Sequence, residues 1–148
     1  MTFHAIPFDE LPNVALYEIL KSRAEVFFLE QGIVCQDMDG VDLHSLHCFL
    51  LENGRVCAYL RAFRAENDPE TVTIGRVLTL RHGAGHGRLL MERAIEAIRD
   101  KLPCRRLFLH AQVPVVGFYE RFGFRVISDV FLEENIPHVE MERILFPD

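Results

Sequence analysis

Residues 78–90 read Leu78-Thr79-Leu80-Arg81-His82-Gly83-Ala84-Gly85-His86-Gly87-Arg88-Leu89-Leu90, and three alternating glycines join an apolar run to a helical pattern. A helix N-terminus carries unpaired N–H groups and a partial positive charge, and glycines let an anion approach the backbone. Arg81, His82 and Arg88 add donors beside the loop. We interpret this unit as a pyrophosphate site; the alternative is a flexible glycine loop without a ligand.

Two common nucleotide sites do not fit this stretch. The residues after Gly87 lack the Gly-Lys-Ser/Thr ending of a P-loop, which disfavours nucleotide hydrolysis. The G-x-G-x-G spacing lies mid-chain, whereas the Rossmann fingerprint is G-x-G-x-x-G near the start of a βαβ unit.

Hydrophobic periodicity outside this unit predicts an alternation of strands and helices. The predicted strands are Phe3–Ile6, His47–Leu51, Arg55–Arg61, Thr71–Leu80, Arg106–Ala111, about Phe124–Phe131 and Ile136–Leu145. The predicted helices run from Leu11 to about Leu29 or Gln31, from the glycines to Lys101, and from Val115 to Phe122. Turns are predicted at Asn53-Gly54 (type I′), Asp68-Pro69 and Glu133-Glu134-Asn135, with an acidic loop over Ile33–Leu43. This order indicates an α/β sheet with helices on its faces.

A second motif, Phe118-Tyr119-Glu120-Arg121-Phe122-Gly123-Phe124, follows the strand that ends at Ala111. Together with the glycine loop it resembles the GNAT superfamily of N-acetyltransferases, which carry R/Q-x-x-G-x-G/A at a helix start and F-Y-x-x-x-G-F further along. His82 replaces the usual Arg or Gln of the first motif, and Arg81 stands one residue too early. The second motif matches fully.

The resemblance extends over about Leu16 to Arg143 and is closest to the ElaA-like branch of that superfamily. The stretches that carry it are Phe27–Gln31, Gln36–Asp42 and Ile136–Met141. It implies a single acetyltransferase domain over residues 1–148, α/β, with a mixed, mostly antiparallel central sheet, helices on both faces and a splayed parallel strand pair.

The resemblance further implies direct transfer of acetyl from acetyl-CoA to a primary amine. The pantetheine arm and thioester are expected on the backbone of Leu78–Leu80, and the pyrophosphate on the N–H groups of Gly83–Arg88. The implied acetyl-CoA contacts are Leu78, Thr79, Leu80, Arg81, His82, Gly83, Ala84, Gly85, His86, Gly87, Arg88, Gln112, Phe118 and Tyr119.

Tyr119 is the candidate general acid, because a phenol with a pKa near ~10 stays protonated at neutral pH and can protonate a departing thiolate. The alternative is a core tyrosine on a short helix. The candidate bases for deprotonating the amine are Glu30, Asp37, Asp39, His110 and His138. The resemblance favours Glu30 and His138 as catalytic residues, although a structural histidine is equally compatible with position 138.

The acidic loop is expected either to line an amine pocket or to be solvated. We predict no metal site: Gly40 falls too early for a calcium loop after Asp37 and Asp39, and His44 and His47 lack a second ligand pair with zinc spacing.

Composition limits the partners. The 148 residues carry a net charge of −6 and no long Lys/Arg run, so nucleic acid is not expected, and a cationic partner is mildly favoured. No apolar stretch approaches the roughly 20 residues of a membrane helix, so no membrane partner is expected. The N-terminus shows no signal-peptide pattern, and the four cysteines form no C-x-x-C pair, which predicts a cytoplasmic protein with reduced thiols.

Two function classes remain open. One is the acetyltransferase; the other is a non-catalytic acyl-CoA-binding or sensing protein on the same fold. Tyr119 favours catalysis, because binding alone does not require a proton donor. The acceptor could be a polyamine, an amino sugar, an amino acid, or the N-terminus or a lysine of a protein or peptide. The superfamily resemblance also suggests a homodimer, which a monomeric mass in solution would contradict.

Overall fold

The structure is a computed structural model that describes residues 1–145. Its strands are β1 (Thr2–Pro7), β2 (Leu46–Glu52), β3 (Arg55–Ala65), β4 (Asp68–Thr79), β5 (Arg106–Gln112), β6 (Arg125–Val126), β7 (Phe131–Glu133) and β8 (Ile136–Ile144). Its α-helices are α1 (Asn13–Arg23), α2 (His86–Lys101) and α3 (Val116–Glu120). A π-helical segment, Ala24–Glu30, continues α1, and single 3-10 turns occupy Phe8–Glu10, Val41–His44 and Val113–Val115.

The strands form one sheet in the order β1-β2-β3-β4-β5-β8-β6, with β7 also paired to β8. Every pairing is antiparallel except β4 with β5, which is parallel over Thr71–Ile74 and Arg106–Leu109. Beyond Ile74 and Leu109 the two strands continue without pairing to each other. The predicted mostly antiparallel sheet with a splayed parallel pair is therefore confirmed.

Apolar layers cover both faces of the sheet, as predicted. Helix α2 buries one side against it, and the spacing of its buried residues is that of an amphipathic helix: Leu90, Met91, Ala94, Ile95 and Ile98. On the opposite face Ile19 of α1 and Val26 of the π-helical segment pack in a second cluster with Phe49, Tyr59 and Leu78. Within residues 1–145, none of the helices combines the length and hydrophobicity required to cross a bilayer.

The predicted strand Phe124–Phe131 is wrong. Only Arg125–Val126 and, separately, the start of β7 at Phe131 pair with β8. The ladder is interrupted because the backbone N–H of Glu140 donates to the hydroxyl of Ser128 at 2.8 Å, so a side chain takes the place of a backbone partner.

Three smaller boundaries also differ. The first helix begins at Asn13, two residues after the predicted Leu11, because Leu11 and Pro12 are still extended. The turn predicted at Asp68-Pro69 lies two residues earlier, at Glu66-Asn67, and Asp68 already begins β4. The third helix, predicted over Val115–Phe122, is shorter: α3 spans Val116–Glu120, and Val115 ends the preceding 3-10 turn.

Candidate active site

The splayed ends of β4 and β5 open into a cavity of about 590 Å³. Most of the predicted cofactor residues line it: Leu78, Thr79, Arg81, His82, Gly83, Gly85, His86, Gly87, Arg88, Gln112, Phe118 and Tyr119. Leu80 and Ala84 do not, and the N–H of Leu80 instead donates to the carbonyl of Cys57 at 2.9 Å.

The glycine loop leads into the N-terminus of α2 on the β4 side of this cavity. Gly83 and Gly85 have φ of 78° and 80°, a left-handed conformation that glycine adopts without strain. A Cβ built on either residue would meet no atom within 4 Å, so both face open space. No side chain of residues 1–145 caps α2. Its first N–H groups are therefore available to an anion.

Gly87 has a different role, because a Cβ there would lie 3.3 Å from the ring of Phe118 and 3.5 Å from Thr79 Cγ2. The absent side chain lets the start of α2 pack closely against the strand and α3. Beside it, the Nδ1 atom of His86 is buried and has no hydrogen-bond partner among residues 1–145. A buried polar atom of this kind is normally satisfied by a ligand or water.

Tyr119 projects from α3 to the wall of the same cavity and is only 6% exposed. Its ring makes edge contacts with Phe118 and Phe124, at centroid distances of 5.2 and 6.0 Å. Burial raises the pKa of its phenol above the ordinary value near 10. The phenol is therefore a proton donor throughout the neutral range.

Two histidines and a carboxylate line the cavity on the β8 side. Because a carbonyl can only accept, Nδ1 of His138 donates to the carbonyl of Ile136 at 2.7 Å. An ionised carboxylate also only accepts, so Nδ1 of His110 donates to Glu133 Oε1 at 2.7 Å. The other oxygen of Glu133 lies 3.7 Å from Nε2 of His138. Glu133 thus connects two histidines on neighbouring strands, β5 and β8.

The end of the π-helical segment spans the splayed gap. Glu30 accepts a hydrogen bond from Nε2 of His82 at 3.0 Å on the β4 side, and Gln31 accepts one from Gln112 at 3.1 Å on β5. The N–H of Gln31 bonds the carbonyl five residues back, at Val26. Such π-turns occur frequently at functional sites. Glu30 does not line the cavity, so this geometry does not favour it as the base.

The aspartates of the acidic loop form a closed ring of ion pairs with three arginines, and we call it the Asp–Arg ring: Arg23, Asp37, Arg76, Asp39, Arg61 and Asp42. Arg23 has no exposed side-chain surface and bonds Asp37 at 3.0 Å and Asp42 at 2.7 Å. Arg61 bonds Asp39 at 2.8 Å and Asp42 at 3.0 Å. Hydrogen bonds from Arg61 hold the pKa of Asp39 well below its ordinary range.

Arg76 closes the Asp–Arg ring at a bulge of β4. Its guanidinium lies 2.8 Å from Asp37 and 3.4 Å from Asp39. Its backbone has φ of 53°, and the pairing of β4 with β3 shifts register between Gly75 and Leu78. The ring therefore ties the acidic loop to the segment of β4 that leaves β5 and lines the cavity.

The Asp–Arg ring shows which residues the acidic loop contacts. Asp37 lines the cavity, but ion pairs occupy the oxygens of Asp37 and Asp39. The loop is not simply solvated, because Asp42 is buried. Asp37 and Asp39 are thereby disfavoured as general bases.

These features agree with comparisons to known proteins. The family model described as "Acetyltransferase (GNAT) domain" matches residues 22–145. The chain belongs to the GNAT acetyltransferase family. It is 36% identical over 139 residues to the protein ElaA of Escherichia coli, covering 91% of each chain.

Two solved structures are similar to this chain over nearly its whole length. An acyl-CoA N-acyltransferase from Pseudomonas aeruginosa is 34% identical, with a TM-score of 0.89 over 97% of this chain and 99% of that one. The crystal structure of Escherichia coli ElaA is 33% identical, with a TM-score of 0.89 over 96% and 98%. The resemblance to the GNAT superfamily and its ElaA-like branch is confirmed.

Sequence reasoning missed the arginines of the ring and the role of Glu133. The aspartate-rich loop was a visible signal, but its partners lie 14 to 39 positions away along the chain. Glu133 was assigned to a turn, whereas it ends β7 and only Glu134 and Asn135 have the positive φ of the turn.

Proposed function

We propose that this GNAT-family chain is an N-acetyltransferase that moves acetyl from acetyl-CoA directly to a primary amine, with Tyr119 as general acid. One observation carries the proposal. A buried, protonated phenol lies on the wall of the same cavity that the open glycine loop and the splayed strands form.

The site's own residues suit acetyl-CoA as a substrate. The N–H groups at the start of α2, with Arg81 and Arg88 on the cavity wall, would hold the pyrophosphate. Among the described residues, no strand pairs with β4 beyond Ile74 on the β5 side, so its backbone is available to bond the amide groups of the pantetheine arm and the thioester carbonyl.

The proposed transfer proceeds without an acetyl-enzyme. The amine nitrogen forms a bond to the thioester carbon, the C–S bond breaks, and its electron pair stays on sulfur. Tyr119 gives its proton to the departing thiolate. An ammonium nitrogen loses two protons in the overall reaction, one before and one after attack. One of them balances the proton placed on sulfur, and the other leaves to solvent.

His138 is the candidate base that the geometry favours over Glu30. The bond from Nδ1 to Ile136 leaves the lone pair of the neutral imidazole on Nε2. His138 lines the cavity and Glu30 does not. A non-catalytic acyl-CoA sensor on the same fold is the second candidate, and it is favoured only by the general rule that fold does not fix function.

A thiol-release assay tests the proposal. Purified protein with acetyl-CoA and a panel of primary amines is expected to release free CoA only when an amine is present, with formation of the N-acetyl product by mass spectrometry. Because transfer is direct, acetyl-CoA alone should give no initial burst of CoA. A stoichiometric burst without amine would contradict direct transfer, and binding without release for every amine would favour the sensor.

A further inference from the structure

The cavity carries opposite charges on its two sides. Arg81 and Arg88 line the side of the glycine loop, where the anionic part of acetyl-CoA is proposed to bind. Glu133 at the end of β7 and Glu134 in the turn that follows line the opposite side. When acetyl-CoA is bound along the side with Arg81 and Arg88, the side with Glu133 and Glu134 remains open to the acceptor.

The acidic side contains the mostly buried side chain of His138. The side chain of His138 is only 8% exposed, yet it is part of the cavity lining. Among residues 1–145, its Nδ1 is hydrogen-bonded to Ile136, while its Nε2 makes no hydrogen bond and has Glu133 at 3.7 Å. A hydrogen-bond donor of a ligand placed near both atoms could bond Nε2 of His138 and the carboxylate of Glu133.

Two neighbours fix this arrangement. The ring of Phe131 stacks on His138 at an interplanar angle of 25° and makes an edge contact with His110. His110 in turn donates to Glu133 Oε1. His110 on β5 therefore holds one oxygen of the Glu133 carboxylate. The other oxygen faces Nε2 of His138 on β8.

We propose that Glu133, Glu134 and His138 form the acceptor subsite, and that it takes an alkylammonium group with no carboxylate on the adjacent carbon. This inference rests on the proposed function. The ammonium binds against Glu133 and transfers one proton to Nε2 of His138, which leaves the neutral amine to attack the thioester. Glu133 then faces the imidazolium and stabilises it.

The same charges exclude α-amino acids. Their α-carboxylate is attached to the carbon that carries the amine and would be brought beside two glutamates, where like charges repel. Arg121 also lines the cavity, but it follows α3, two residues after Tyr119, and is not part of the β7–β8 hairpin that carries Glu133 and Glu134. Arg76 lines the cavity too, but its guanidinium is already bonded to Asp37 and Asp39 in the Asp–Arg ring. It is not a free partner for a substrate carboxylate.

Matched amine pairs test the subsite: 2-phenylethylamine against phenylalanine, and tyramine against tyrosine. We expect the carboxylate-free member of each pair to have a kcat/KM higher by on the order of tenfold or more. Glu133→Gln and Glu134→Gln should each raise the KM for these amines and reduce the ratio of kcat/KM between the amine and the amino acid of each pair. The Kd for acetyl-CoA should stay unchanged. Glu96→Gln, which removes the same charge from the exposed face of α2, is the control and should behave as wild type.

A further arm uses Nα-acetyl-lysine amide as a stand-in for a protein lysine. Faster turnover of this probe than of tyramine would indicate that the acceptor is a protein lysine. Faster turnover of tyramine would indicate a small-molecule amine. Equal or better use of the amino acids would overturn the inference. Absence of CoA release with all of these amines, when another amine of the panel does cause release, would also overturn it. Absence of acetyl-CoA binding would instead overturn the proposed function.

Discussion

Replacing Tyr119 with phenylalanine is expected to lower kcat by about 10²–10⁴-fold, the usual contribution of a positioned general acid. The change removes only the hydroxyl, and the ring contacts with Phe118 and Phe124 persist. The Kd for acetyl-CoA should therefore stay close to the wild-type value. Steady-state thiol release and calorimetric titration measure the two quantities separately.

Tyr17→Phe is the matched control, because it removes a phenol hydroxyl from an exposed side chain that is not part of the cavity lining. The pH profile adds a second check. Because burial raises the pKa of Tyr119, its deprotonation should not limit kcat at any pH below about 10. Full activity of the phenylalanine variant would rule out Tyr119 as the acid and leave it a packing residue.

Replacing Asp42 with alanine is expected to lower the free energy of unfolding by about 3–5 kcal/mol, the cost of removing one partner from a buried ion pair. Asp42 bonds both Arg23 and Arg61, and the guanidinium of Arg23 has no exposed surface. Each arginine keeps one aspartate of the ring, but both lose their most buried partner. Urea unfolding with linear extrapolation gives the difference.

The control is Arg55→Gln, which breaks a partly exposed ion pair with Glu25 and should cost at most about 1 kcal/mol. A loss no greater than this for Asp42→Ala would show that the ring contributes little to stability.

The free energy of unfolding of the wild-type protein should also depend on pH, because the Asp–Arg ring contains titratable carboxylates. Burial alone would raise the pKa of Asp42, but hydrogen bonds and charge from Arg23 and Arg61 outweigh it and hold the pKa below its usual value. A lowered folded-state pKa contributes stability that is present above the unfolded value near ~3.9 and is lost as pH falls below it. Asp42→Ala should show a shallower loss below about pH 4.

The parts of the fold that local sequence dictates were predictable. The glycine loop and α2 followed from the positive φ that Gly83 and Gly85 allow and from the amphipathic spacing after them. The Asn53-Gly54 hairpin turn has positive φ at both residues, as its sequence predicted. Each of these features depends on residues close together in the chain.

Features that depend on distant partners were not predictable. The break after β6 requires a hydroxyl of Ser128 that meets an N–H twelve residues away, at Glu140. The Asp–Arg ring requires arginines from α1, β3 and β4 to meet one loop. The candidate site shows the same division: motif matching gave the glycine loop and Tyr119, whereas the link from Glu133 to two histidines appeared only in the structure.

Calorimetric titration of the wild-type protein with acetyl-CoA tests the central claim most directly. The account predicts saturable binding of one acetyl-CoA per chain, displaced by free CoA, and a thermal midpoint that rises with ligand concentration because the ligand binds only the folded state. Absence of both binding heat and thermal stabilisation would contradict the assignment of this cavity to acetyl-CoA.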